Sequence, residues 1–206
     1  MMDFPLLLRT FLLRSAKYFP KKEIVSVFPE IVHRYTYADF YKRTCQLAHA
    51  LKSLGIKRGD RVASVALNDH RHLELYFGVP CYGAVLHTAN FRLPQNHLSY
   101  ILNHAEDQVI FVDEDLLMFV ELVRDRLETV KHIVVLSHTG KKPASNLPGL
   151  IMYDELISQF PEEYDFPTDL SEWDPAMICY TSATTGDPKG VVYSHRALVL
   201  HTYAVA

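Results

Sequence analysis

Apolar positions along this chain recur at two periods, and the switches between them predict alternating strands and helices. Near the N-terminus, Leu6, Leu7, Thr10, Phe11, Leu13 and Tyr18 fall roughly on one face at helical spacing, which predicts an amphipathic helix docked on the body. The stretch from Glu23 to Tyr37 reads as two short strands around Phe28-Pro29-Glu30, hence a hairpin. A helix follows. Thr36 is placed to cap it, Asp39 lies at its positive end, and Phe40, Leu47, Ala48, Leu51 and Leu54 recur along it until Gly55. Arg61 to Leu67 is a compact β-prone run entered through Arg58-Gly59-Asp60. Asn68 or Asp69 is then placed to cap a helix through His72, Leu75, Tyr76 and Val79.

The alternation continues with a strand over 84–87, a helix over 94–105, a strand over 109–112, a helix over 116–127 and a strand over 132–136. Residues 137–148 are rich in Gly, Pro, Ser and Lys and predict a loop, 153–160 predict a helix, and 161–175 form an acidic connection containing proline. Strands alternating with helices imply βαβ units and an α/β fold, a mostly parallel sheet with helices on both faces. The predicted organisation is an α/β body over residues 1–170, then a segment of different character over 171–206.

Composition narrows the class. The 206 residues include 21 basic and 24 acidic side chains, a formal net charge of −3, which gives none of the strongly basic surface expected for nucleic-acid binding. Arg9 and Arg14 interrupt the N-terminal apolar patch, so it fits neither a signal peptide nor the run of ~20 apolar residues that spans a bilayer. Cys45, Cys81 and Cys179 lie 36 and 98 residues apart, a spacing of neither a disulfide framework nor a zinc site. Reduced, mostly buried thiols of a cytoplasmic protein are the expectation. His70 and His72 are two positions apart, which points their rings away from each other on a helix. His195 and His201 are assigned to helix capping or packing, and Asn90 and Arg92 to structural roles in a polar loop.

The chemistry concentrates near the C-terminus. An apolar strand from Met177 runs into four hydroxyl residues within five positions, Thr181, Ser182, Thr184 and Thr185. The turn Gly186-Asp187-Pro188-Lys189-Gly190, a second β-prone run and a polar helix start at His195 follow. Hydroxyls, backbone N–H groups in a tight turn and one lysine are what a polyphosphate needs. The hydroxyls can also reach a phosphate-bound Mg²⁺. This is not the common P-loop, because Pro188 separates Gly186 from Lys189, and no G-x-G-x-x-G fingerprint is present. Without the turn, a Thr/Ser-rich surface hairpin is the plainer reading of the hydroxyls.

Tyr180 to Gly190 resembles the signature loop of the acyl-adenylate-forming enzymes, which include acyl-CoA synthetases, peptide-synthetase adenylation domains and firefly-type luciferases. Val191 to His201 resembles the medium- and long-chain fatty acyl-CoA synthetases. So do Arg34-Tyr35-Thr36-Tyr37, Leu54-Gly55-Ile56 with Gly59 to Ala63, Leu86 to Leu93 and Tyr100 to Asp107. The likeness runs from about Phe4 to Ala206. One position departs from it: Ala183 stands where the family usually has glycine, and alanine takes φ > 0 only at a cost of roughly 1 kcal/mol.

The resemblance implies the N-terminal part of the large AMP-binding domain, with ATP, Mg²⁺ and CoA as cosubstrates and a fatty acid as substrate. It assigns Thr181, Ser182, Thr184, Thr185, Gly186 and Lys189 to the phosphates, Thr181 to a contact with Mg²⁺ as well, and Gly190 to the shape of the turn. No residue is assigned to the bond-making steps. The family's adenine, ribose and acidic Mg²⁺-binding motifs lie downstream, and a further C-terminal domain carries its adenylation lysine. The expectation is therefore an incomplete domain that forms no acyl-CoA by itself. A homodimer would fit relatives of this branch. Two other readings stay open: a ligase for an aryl or other acid, and a non-catalytic remnant or dimerising module that keeps the fold.

Overall fold

The computed structural model of the chain describes residues 4–181 and 186–205. In chain order its first elements are α1 (Arg9–Tyr18), β1 (Glu23–Val27), β2 (Val32–Thr36), α2 (Tyr37–Ser53), β3 (Arg61–Val65), α3 (His70–Tyr82), β4 (Val85–Thr88), α4 (Gln95–His104) and β5 (Asp107–Asp113). They are followed by α5 (Leu117–Glu121), β6 (His132–Leu136), β7 (Ile151–Met152), α6 (Tyr153–Ile157), β8 (Pro175–Tyr180), β9 (Gly190–Ser194) and α7 (His195–Val205). Seven strands form one sheet in the order β7-β6-β5-β3-β4-β8-β9, parallel throughout except for the antiparallel β8–β9 pair. β1 and β2 make a separate antiparallel ribbon.

Both faces of the sheet are covered, and the strand sequences show why. Along β3, β5 and β6, Ala63, Val65, Ile110, Val112, Ile133 and Val135 face the cluster built with α4 and α5. The intervening Val62, Val109, Phe111, Val134 and Leu136 face the cluster built with α2, α3 and α6. A strand buried on both sides needs apolar residues at every position, so these segments read as continuous apolar runs. A third cluster lies outside α2 and α3, where Leu8, Leu12, Phe40, Cys45, Ala48 and Cys81 meet Phe166, Ala176 and Val199. Residues from β8 and α7 thus share a core with α1.

Local signals set the helix starts. The Thr36 hydroxyl accepts from Asp39 N–H while the Asp39 carboxylate accepts from Thr36 N–H at 2.9 Å, a full capping box. Asp69 caps α3, accepting from the backbone N–H groups of Arg71 and His72 at 2.8 and 3.0 Å. Its other oxygen pairs with the buried Arg71 guanidinium. His70 and His72 do diverge: one ring lies against Ser26 Oγ and the other against Ser64 Oγ.

One polar cluster ties three helices together. Glu74 of α3 is fully buried, receives Arg43 Nε of α2 at 2.7 Å, and accepts from the Tyr153 hydroxyl of α6 at 2.6 Å. Arg43 also reaches Asp154 at 2.7 Å. Burial pushes the Glu74 carboxyl upward and Arg43 opposes it. Removing one partner of such a pair leaves an uncompensated buried charge, typically about 3–5 kcal/mol.

Three expectations need correction. The first helix starts at Arg9, and of the face counted from Leu6 only Leu13 and Tyr18 are exposed: Leu7 is buried, Leu6 and Phe11 pack against the third cluster, and Leu12 is buried beside them. The helix expected over 116–127 is broken into a 3₁₀ turn at Glu114–Leu116, α5, and a second 3₁₀ turn at Arg124–Arg126. Leu117 and Val120 of α5 and Val123 beyond it are three apart and all buried, so one line of the segment faces the first cluster. The helix expected over 153–160 ends at Ile157, and the short strand β7 before it has no pattern long enough to announce it. The loop over 137–148 is as expected.

His195, the first residue of α7, is 1% exposed, and its Nδ1 accepts from Leu8 N–H at 3.4 Å. Burial pushes its imidazole down from 6.5 to about 4, with Asp174 opposing. An unfolded chain protonates His195 near 6.5, so between these values the unfolded state binds more protons and stability falls as pH falls. The loss of unfolding free energy between about pH 7.5 and about pH 5 should be smaller in His195→Asn than in the wild type by about 2 kcal/mol. Urea unfolding at the two pH values checks this, and equal losses would contradict it.

Candidate functional site

The hydroxyl-rich segment leaves the sheet at the carboxyl end of β8. β8 lies parallel to β4, with Leu86 opposite Met177 and His87 opposite Ile178, and Thr88 Oγ1 contacts Cys179 Sγ at 3.2 Å. On its other side β8 pairs with β9, from Tyr180 opposite Gly190 to Pro175 opposite Ser194. The chain then enters α7, whose first N–H groups, of His195 and Arg196, donate to Asp174 and Glu172 carbonyls at 3.2 and 2.8 Å. Arg196 also pairs with the Glu172 carboxylate at 2.6 Å. Both ends of the hairpin are therefore fixed.

Its neck is closed by two bonds. Thr181 N–H donates to the Lys189 carbonyl at 3.0 Å, and Lys189 N–H donates to Thr181 Oγ1 at 3.3 Å. Thr181, Gly186 and Lys189 are all exposed, and Lys189 makes no ion pair among the described residues. Gly186 has φ +85°, a left-handed conformation that glycine takes without the Cβ clash. Gly190 has a different need: a Cβ there would sit 3.0 Å from Ile178 Cδ1 and 3.1 Å from Tyr180 Cζ. Ser182, Thr184, Thr185 and the departure at Ala183 lie outside the described residues.

A solvated lysine beside a left-handed glycine and a threonine hydroxyl makes a setting for anions. The Thr181 hydroxyl oxygen is an exposed hard donor, the kind Mg²⁺ accepts when the remaining ligands come from phosphates and water. Away from the hairpin, Asp113, Asp115 and His138 bring ligand atoms within 4.8 Å of one another. His138 Nδ1 is already 2.8 Å from Glu114, and its ring stacks on Phe28.

Sequence reading missed what lies beneath the neck. The Tyr180 hydroxyl is 2.7 Å from His104 Nδ1 at the end of α4, and Tyr100 stacks on His104. The Tyr180 ring lies 5.0 Å from that of His87, whose Nδ1 is 2.6 Å from Asp107 Oδ2. His87 and Asp107 are both fully buried, and burial pushes the Asp107 carboxyl up while His87 opposes it. Their other polar atoms, His87 Nε2 and Asp107 Oδ1, lack partners among the described residues. Polar residues at buried strand positions were the available signal, but four residues spread from 87 to 180 meet only through the fold. His201 is exposed, and Arg92 N–H donates to Asn90 Oδ1 at 3.0 Å, a local turn.

Residues 12–206 match the family described as AMP-binding enzyme. The chain is 49% identical over its whole length to a long-chain-fatty-acid–CoA ligase of Thermus thermophilus and spans 36% of that protein. It is 40% identical, over 99% of its length, to a 3-methylmercaptopropionyl-CoA ligase of Ruegeria lacuscaerulensis and spans 38% of it. The crystal structure of the anthranilate CoA ligase AuaEII in complex with anthranoyl-AMP superposes on 94% of the chain with a TM-score of 0.80, at 26% identity and over 36% of that structure.

The tight seat of Gly190 makes a direct prediction. Gly190→Ala should destabilise the chain by about 1–3 kcal/mol, because Ile178 and Tyr180 must both give way. A urea-unfolding midpoint equal to the wild type would contradict it.

Proposed function

Because the chain belongs to the AMP-binding enzyme family, we propose that it carries the triphosphate-binding hairpin of an ATP-dependent ligase that joins a medium- or long-chain fatty acid to CoA. The observation that carries the reading is the closed neck, which holds on one short turn the Thr181 hydroxyl, left-handed Gly186 and Lys189, a lysine with no ion pair among the described residues. The substrate class rests on the identity to a fatty-acid ligase. Free thiols at Cys45, Cys81 and Cys179 support a reducing compartment such as the cytoplasm.

In this reading a fatty carboxylate oxygen attacks the α-phosphorus of ATP, the bond to the β-phosphate oxygen breaks, and acyl-adenylate and pyrophosphate form. The CoA thiol then adds to the acyl carbon and AMP leaves as the thioester forms. A carboxylate is a poor acyl donor because its leaving group would be oxide, and adenylation supplies AMP instead. Negative charge accumulates on the departing pyrophosphate. Preorganised donors placed there stabilise the transition state more than the ground state. Lys189 supplies the positive charge, the turn N–H groups and the hydroxyls of Thr181, Ser182, Thr184 and Thr185 supply donors, Gly186 lets the backbone approach, and Gly190 shapes the turn. Mg²⁺, when bound, would neutralise phosphate charge, with Thr181 its contact on this chain.

The likeness to ligases of 3-methylmercaptopropionate and anthranilate supports a second reading, in which the same hairpin serves an acid of another class.

Equilibrium binding of Mg·ATP to the purified chain and to Lys189→Ala tests the proposal. A charge-assisted bond to phosphate contributes about 1.5–3 kcal/mol, so the variant should bind about 10- to 100-fold more weakly. Equal affinity in the two proteins would overturn the assignment of Lys189. No binding to either would favour a non-catalytic module.

A further inference from the structure

The hairpin neck depends on a residue outside the phosphate-binding set. We infer that Tyr180 is a positioning residue: its hydroxyl bond to His104, laid over the buried His87–Asp107 pair, fixes the neck that presents Thr181 and Lys189. The geometry stands by itself, and its consequence for nucleotide affinity rests on the phosphate-binding reading above.

Four observations lead to it. Tyr180 shares a peptide bond with Thr181, the residue that makes both neck bonds, so any turn of Tyr180 about the strand displaces the neck directly. The Tyr180 side chain is held at its far end, where the hydroxyl meets His104 Nδ1 at 2.7 Å, while its backbone is held in the β8–β9 ladder opposite Gly190. Gly190 leaves the ring its seat, since a Cβ there would come within 3.1 Å of Cζ. Beneath the ring, His87 is locked by Asp107 at 2.6 Å, with both residues fully buried, so the surface under Tyr180 is rigid.

Burial, followed by Asp107 and Tyr100, pushes the Tyr180 phenol up to about 12, so it keeps its proton and the bond to His104 Nδ1 runs in the direction that the imidazole tautomer sets. A side chain that only filled space would not need the hydroxyl. One that orients the neck does.

The test uses the nucleotide-free chain first. Tyr180→Phe removes the hydroxyl, His104→Leu removes its partner, and His104→Gln returns an amide that can accept or donate. Amide exchange at Thr181 and Lys189, read by NMR, should rise about three- to tenfold in Tyr180→Phe and His104→Leu, the loss of one hydrogen bond of about 0.5–1.5 kcal/mol. It should return towards the wild-type rate in His104→Gln, and the core amides of Val62 and Phe111 should not change. Mg·ATP affinity should fall by a similar factor in the first two variants. Wild-type exchange at both neck amides in Tyr180→Phe would overturn the inference, as would a rise shared equally by the core amides. A selective rise with unchanged Mg·ATP affinity would overturn the link to binding. A selective rise in a chain whose wild type binds no Mg·ATP would support the positioning role and overturn the phosphate-binding reading.

Discussion

The pairing of β8 with β4 is the constraint on which the rest of this molecule depends. Only two residue pairs define it, Leu86 with Met177 and His87 with Ile178. That short contact attaches the β8–β9 hairpin to the parallel body, and it sets the direction in which the hairpin leaves the sheet. Because β8 runs parallel to its neighbour, its turn emerges at the carboxyl ends of the strands. In open α/β sheets that edge is where ligands bind. The short pairing is reinforced at the other end, where Asp174 and Glu172 hold the start of α7, and within the core, where Ala176 and Val199 pack with residues from α1 and α2.

Rigidity behind the hairpin comes from layering. Apolar residues on both faces of β3, β5 and β6 bury the sheet between two helical layers, and a third cluster seals α1 against the outside. Two carboxylates inside these layers are held by specific partners. Glu74 joins α2, α3 and α6 through Arg43 and Tyr153, and Asp69 both caps α3 and neutralises Arg71. Each of these carboxylates would be costly alone and is tolerable only with its partners in place. The His87–Asp107 pair is the exception, since it keeps two polar atoms unpartnered among the described residues and sits under Tyr180. That placement puts an electrostatically expensive arrangement beneath the segment proposed to bind phosphate.

Much of this was legible in the sequence where local physics decides. Thr36 with Asp39, Asp69 before His70, and the compact β-prone run of β3 each report a preference that the fold obeys. The proposed phosphate turn could be read for a related reason: it is a contiguous segment, and glycine, lysine and hydroxyls declare themselves within a few positions. What was not legible is non-local. The buried face of α1 is set by its docking on α2, which takes Leu12 and leaves Leu13 outside. The broken helix around α5 follows the sheet surface beneath it more than its own propensity. Tyr180, His104, His87 and Asp107 read singly as ordinary polar or aromatic residues, and only strand order brings them together.

The central claim is that nucleotide phosphate binds at the β8–β9 neck. Titrating ¹⁵N-labelled chain with Mg·ATP and, separately, with adenosine tests it most directly. Mg·ATP should shift the amide signals of Thr181, Gly186, Lys189 and Gly190, and adenosine should leave them in place. Shifts elsewhere with these four unmoved, or the same shifts from adenosine, would contradict it.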